Sequence, residues 1–171
     1  VYHILSMPTA KINLFTYYGD VDWLEEFVNL PVNGFGLDFV NGRNNYTNLL
    51  GVNFPKDKTI FAGLVEGINV WKTDIRDAVN KLTSISDLTD NIFVSNAGPL
   101  YHLPVTTEGE KNIPSELKNH LSFATEKLQE LDDIKRHDYN RYEKYSGSWN
   151  NMVSDRVENL TDEDFVKSID V

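Results

Sequence analysis

The chain has 171 residues, 40% hydrophobic and 25% charged, the balance of one globular domain rather than of a disordered or membrane-embedded segment. Sixteen basic residues against 26 acidic ones leave a formal charge of −10, and the cations form no patch that would neutralise phosphates, which argues against a nucleic-acid partner. There is no cysteine, hence no disulfide and no thiolate-held zinc within this chain.

No apolar stretch approaches the ~20 residues of a membrane helix, and no basic, apolar and small-residue signal pattern opens the sequence. A cytoplasmic protein with no membrane partner is therefore expected. The sequence opens on Val1 rather than methionine, which suggests that residues upstream are missing.

Taken in chain order, the first apolar run covers residues 11–18 (KINLFTYY). Asp20 then caps a helix over 21–30, whose Val21, Leu24, Phe27 and Val28 share one stripe. A second run at 34–40 (GFGLDFV) precedes a weaker helical segment at 44–50. The third, 59–65 (TIFAGLV), leads into a helix over 74–82 with Ile75, Ala78, Val79 and Leu82 at i, i+3, i+4 and i+7. The fourth is 91–95 (NIFVS). Farther on, Ser115 caps the longest predicted helix, in which Leu117, Leu121, Ala124, Leu128, Leu131 and Ile134 recur every three or four residues. A polar and aromatic connection follows, and Thr161 with Asp164 forms a capping box that opens a last short helix.

The four runs show little polar alternation, the pattern of strands covered on both faces in a parallel sheet. Their starts lie about 23, 25 and 32 residues apart, enough for a strand and a crossover helix. The expected class is α/β: residues 1–140 form four βα units with parallel strands, and 141–171 a helical tail, in a single domain or fragment. Such strands make either an open doubly wound sheet or half of an eight-stranded barrel, and periodicity leaves both open.

Parallel α/β folds gather ligand-facing groups at the carboxyl ends of their strands. That rule selects Tyr17 after the first strand, Asp38 at the end of the second, Glu66, Asn69 and Trp71 after the third, and His102 after the fourth. Each also has a structural reading. Asp38 lies within an apolar run, where a carboxylate must be hydrogen-bonded to be tolerated. Trp71 serves equally as a packing anchor, and His102, between Tyr101 and Leu103, as a satisfied histidine. Asp38 and Glu66 as a pair would suit acid–base work. His3, His102, His120 and His137 make no HxH or HExxH cluster, so no metal site is expected. Gly34-Phe35-Gly36 lacks the third glycine of a dinucleotide fingerprint, and no GxSxG or P-loop occurs. Asn45-Tyr46-Thr47 and Asn159-Leu160-Thr161 match the glycosylation pattern by chance.

The segments KINLFTYYGDV, LPVNGFGLDFV, FPKDKTIFAGLVEGINVW, LYHLPVTTE and LSFATEKLQEL resemble, in order and spacing, the N-terminal domain of cobalamin-independent methionine synthase. RVENLTDEDF resembles the stretch that closes that domain. The resemblance implies a methyltransferase family that passes a methyl group from 5-methyltetrahydropteroyl-polyglutamate to homocysteine on two facing (βα)8 TIM barrels. It implies that this chain is the second half of the N-terminal barrel, lining the folate cleft without catalytic residues of its own. Zinc and the methyltetrahydrofolate polyglutamate are then expected only with the C-terminal catalytic domain, and no cofactor in this chain. The implied partners are the first half-barrel and that catalytic domain, or a second copy joined through open strand edges. Asp38, Asn69, Trp71 and His102 match the family pattern, whereas Gly98 stands where a cysteine is usual and Ile68 where a basic residue is common. The alternatives are a stand-alone half-barrel binding module that has lost methyl transfer, and a small hydrolase using Asp38 and Glu66.

Overall fold

A computed structural model describes residues 10–136. Four strands, β1 (Asn13–Phe15), β2 (Gly34–Asp38), β3 (Thr59–Val65) and β4 (Ile92–Asn96), alternate with helices α1 (Leu24–Val28), α2 (Asn45–Gly51) and α3 (Ile75–Ser86). After β4 come two single 3-10 turns, Leu100–His102 and Thr107–Gly109, then α4 (Ser115–Lys118) and α5 (Ala124–Arg136). The predicted tail and its capping box lie outside the described residues.

All neighbouring strands are parallel and stand in the order β1-β2-β3-β4. A doubly wound sheet would reverse its order part-way; a sequential order with right-handed crossovers puts every helix on one face, as in the wall of a (βα)8 barrel. The core lies on that face. Phe35 and Leu37 of β2 and Ile60, Ala62 and Leu64 of β3 pack against Phe27 of α1, Leu49 of α2, Ile75 and Val79 of α3 and Ile134 of α5. On the opposite face Phe15, Phe61 and Phe93 stand in a row, with ring centroids 4.9 and 5.3 Å apart. Gly36 is required there: a Cβ would fall 2.0 Å from Cδ1 of Phe15.

Two local expectations are corrected. The first helix is Leu24–Val28 rather than 21–30, and Asp20 does not cap it. The Asp20 carboxylate instead accepts the N–H groups of Asn44 (2.8 Å) and Asn45 (3.2 Å), so it caps α2 across the fold. At the other end of α1, the Lys58 ammonium donates to the carbonyls of Val28 and Leu30, the favoured place for a cation.

The single long helix from Ser115 is also broken, into α4 and α5. The residues between them pair with the chain after β3: Ser122 N–H donates to Val70 O (2.7 Å), Lys72 N–H to His120 O (3.0 Å), and Trp71 and Leu121 form an antiparallel bridge. A continuous helix would keep those amides for itself. The predicted stripe is the buried face only in part: Ile134 is buried in the core and Leu131 packs against it, but Leu128 is 58% exposed while Lys127 and Glu130 are fully buried.

Glu126 restarts the helix. Its carboxylate accepts from the Phe123 N–H (3.0 Å), as in half a capping box, and from the Thr106 hydroxyl (2.7 Å) and Thr107 N–H (3.1 Å) of the preceding loop. Burial pushes its pKa up, but these hydrogen bonds outweigh burial and leave it below the ordinary glutamate value. A depressed folded-state pKa gives stability that is complete above the ordinary range and lost as pH falls through the lower folded value. Glu126→Gln should therefore lower the melting temperature at neutral pH, with the gap to the unaltered protein narrowing as pH drops below about 4. Thermal melts at several pH values check this; a gap independent of pH would contradict it.

Candidate functional site

A cleft of about 600 Å³ opens at the carboxyl ends of β2 and β3, between the loop after β2 and the first turns of α3. Phe39, Leu64 and Ala78 give it an apolar floor, and Asn41, Glu66, Asn69 and Trp71 line it with polar and aromatic groups. The local sequence explains the arrangement. The register between β3 and β4 slips between Gly63 and Val65, a bulge that turns the end of β3 and delivers Glu66 to the rim. Asp74 then caps α3 by accepting the Asp77 N–H (3.0 Å), which fixes the far wall.

Asp38 lies beneath the rim, fully buried. Its Oδ1 accepts the N–H groups of Val40 (2.9 Å) and Asn41 (2.8 Å), and its Oδ2 the Tyr18 N–H (3.1 Å) and the Asn41 amide (3.2 Å). It is a clamp between the β1 and β2 loops, and it holds Tyr18 at φ 68°, a conformation that a non-glycine residue adopts only when well supported. Glu66 is also buried; its Oε1 accepts the Ile68 N–H (2.8 Å) and sits 3.5 Å from the same Asn41 amide. Asp38 and Glu66 thus share a donor. Both Asp38 oxygens are occupied by donors of the loops and do not open to a substrate, which argues against paired-carboxylate hydrolysis.

Of the six residues selected from the sequence, Glu66, Asn69 and Trp71 line the cleft, and Asp38 supports it from below. Tyr17 does not line it, standing 40% exposed between Phe15 and Tyr18. His102 also stands apart, exposed against the Tyr101 ring at 4.0 Å. Both are at strand ends, but β1 and β4 are the outer strands, so their loops lie to either side of the β2–β3 opening. Asn45, in the glycosylation pattern, is fully buried and donates to the carbonyls of Gly19 and Asp38.

Sequence reasoning missed the charges. Arg43 and Lys72 stand at the cleft, and Lys81 bonds Asp77 (2.8 Å) and the Phe39 carbonyl (3.2 Å) at its edge. Behind the wall, the buried Lys127 donates to the Trp71 carbonyl and lies 3.6 Å from Glu130. Burial lowers the Lys127 pKa, and the carboxylates of Glu130 and Glu66 oppose that shift. Spacing on α5 marks these two as an i, i+3 pair, but nothing in spacing says that the pair faces inward. Among the described residues no group of three His, Cys, Asp or Glu is placed to hold a metal ion, so the donor set does not fit a zinc centre. No described helix is long and apolar enough to cross a membrane.

The family described as cobalamin-independent synthase, N-terminal domain, matches residues 1–90, more than half of the chain. The chain belongs to that family, the N-terminal domain of cobalamin-independent methionine synthase. Among its curated relatives, the 5-methyltetrahydropteroyltriglutamate–homocysteine methyltransferase of Thermodesulfovibrio yellowstonii is 43% identical over 130 residues, covering 75% of this chain and 17% of the relative. The enzyme of the same name from Lactococcus lactis subsp. lactis is 34% identical, covering 95% and 23%. That of Thermotoga maritima is 42% identical, covering 79% and 18%. The chain therefore spans about a fifth of the length of these methionine synthase relatives. Within the family domain, the Asp38 clamp and the cleft wall after β3 fall in matched residues.

Removing Asp38 leaves three backbone donors without their acceptor. Asp38→Ala should cost about 3 kcal/mol or more. Urea unfolding checks this as a lowered midpoint at unchanged slope; a loss below about 1 kcal/mol would mean that the rim holds itself without the clamp.

Proposed function

We propose that this chain is a non-catalytic part of a 5-methyltetrahydropteroyltriglutamate–homocysteine methyltransferase, a stretch of its N-terminal domain whose strand-end loops border the cleft where the folate lies. The family match carries the reading, and the cleft supports it: an amide, a carboxylate and an indole ring gather at the carboxyl ends of parallel strands, where such folds receive ligands. On this reading Glu66, Asn69 and Trp71 face the folate, Asp38 supports them, and Tyr17 and His102 belong to the surrounding rim. The rest of the enzyme supplies the first half-barrel, the catalytic domain, and the zinc and homocysteine sites. The bare sheet face behind Phe15, Phe61 and Phe93 is the surface that the completing half would cover.

The test is a graft. The chain alone, given 5-methyltetrahydropteroyltriglutamate and homocysteine, should form no methionine above the buffer blank. Placed in the Thermotoga maritima enzyme in place of its matching stretch, the chain should sustain methyl transfer. In that graft Asn69→Ala or Trp71→Ala should raise KM for the folate about tenfold, or about 1.4 kcal/mol, with kcat little changed. Turnover by the chain alone, or a folded graft indifferent to both substitutions, would overturn the reading.

A further inference from the structure

We propose that Lys127 and Glu130 are positioning residues, a buried ion pair on α5 that fixes residues 70–73 as the cleft wall and thereby holds Asn69 and Trp71 at the site. The inference rests on reading that cleft as the working site.

Residues 70–73 belong to none of the four strands of the sheet. Four main-chain groups of this segment bond the α4–α5 connection and α5: Ser122 N–H donates to Val70 O (2.7 Å), Lys72 N–H to His120 O (3.0 Å), Lys127 Nζ to Trp71 O, and Thr73 N–H to Glu130 Oε1 (3.3 Å). One member of the pair therefore takes the carbonyl of Trp71 and the other the amide of Thr73, two residues along the same segment. Both side chains are 0% exposed. At i and i+3 they share one face of α5, and that face is turned to the wall.

Stability does not explain such a pair. Two charges removed from water carry a large desolvation cost, and apolar residues of the same size are often as stable or more so. What apolar residues cannot do is bond main-chain groups, and an extended segment has to place those somewhere. The pair supplies a donor and an acceptor at fixed points, which sets where the wall runs. It also reaches the site electrostatically, because Glu66, a cleft carboxylate, stabilises the Lys127 ammonium. The wall in turn orients the site, since the Trp71 N–H donates to Asn69 Oδ1 (3.0 Å) two residues upstream.

Hydrogen exchange of the 171-residue chain, with no ligand present, tests this. Lys127→Met should speed exchange at residues 70–73 and 122 about tenfold while the β3 amides, residues 60–65, change less than about twofold. Glu130→Gln keeps an acceptor for the Thr73 amide and should shift the wall less than about threefold. The decisive variant is the double replacement Lys127→Met with Glu130→Leu: it should recover the melting temperature but not the slow exchange of the wall. If the single variant does not fold, the double variant alone decides. Recovery of both properties, or acceleration spread evenly over wall and sheet, would make the pair a core filler and overturn the proposal. None of these readouts uses methyl transfer, so the assignment to the methyltransferase and this inference can fail separately.

Discussion

A carboxylate in an apolar interior is tolerable only when its oxygens are filled, and that constraint organises the rim of this fold. Asp38 ends β2, the most buried strand, and its two oxygens take donors from the loop after β1 and from the loop after β2. Through the Asn41 amide it reaches Glu66 after β3. Three strand-end loops are thus tied to one buried charge. The cleft is an outcome of that tie: β2 is buried throughout and β3 over its last four residues, so polar groups gather where the strands stop.

A second buried charge system sits on the other side of the cleft, and there the chain runs against ordinary pattern rules. In α5 the lysine and glutamate go inside and a leucine stays in water. Helical periodicity assumes that burial follows hydrophobicity, and it fails where a helix covers main chain rather than side chains. Main chain needs donors and acceptors. The same requirement breaks the expected long helix, because three residues before Ala124, His120, Leu121 and Ser122, pair with the segment after β3.

Membership of the methionine synthase N-terminal family agrees with the architecture at a specific point. A sheet in the order β1-β2-β3-β4, covered by helices on one side and lined with phenylalanine rings on the other, is what a barrel wall looks like from within. On that second side Phe93 is 59% exposed, and among the described residues β1 and β4 each pair with one strand. That face is apolar, and Gly36 leaves the room that the Phe15 ring occupies.

Parallel strands, their order of occurrence and a helix after β3, expected over 74–82 and observed as Ile75–Ser86, were legible in the sequence, because a seven-residue apolar run such as TIFAGLV and an amphipathic stretch each carry their own local signal. The end of a buried strand also predicts where polar groups emerge, and Glu66, Asn69 and Trp71 stand there beside the cleft. Tertiary structure alone decided that Asp20 caps a helix other than its neighbour, that Tyr17 and His102 fall outside the opening, and that Lys127 and Glu130 turn inward. The physical reason is common to all of these. Hydrophobic periodicity records which residues avoid water, whereas a hydrogen bond between groups 20 to 57 positions apart, as in Tyr18 to Asp38 or Thr73 to Glu130, depends on where the folded chain brings them together.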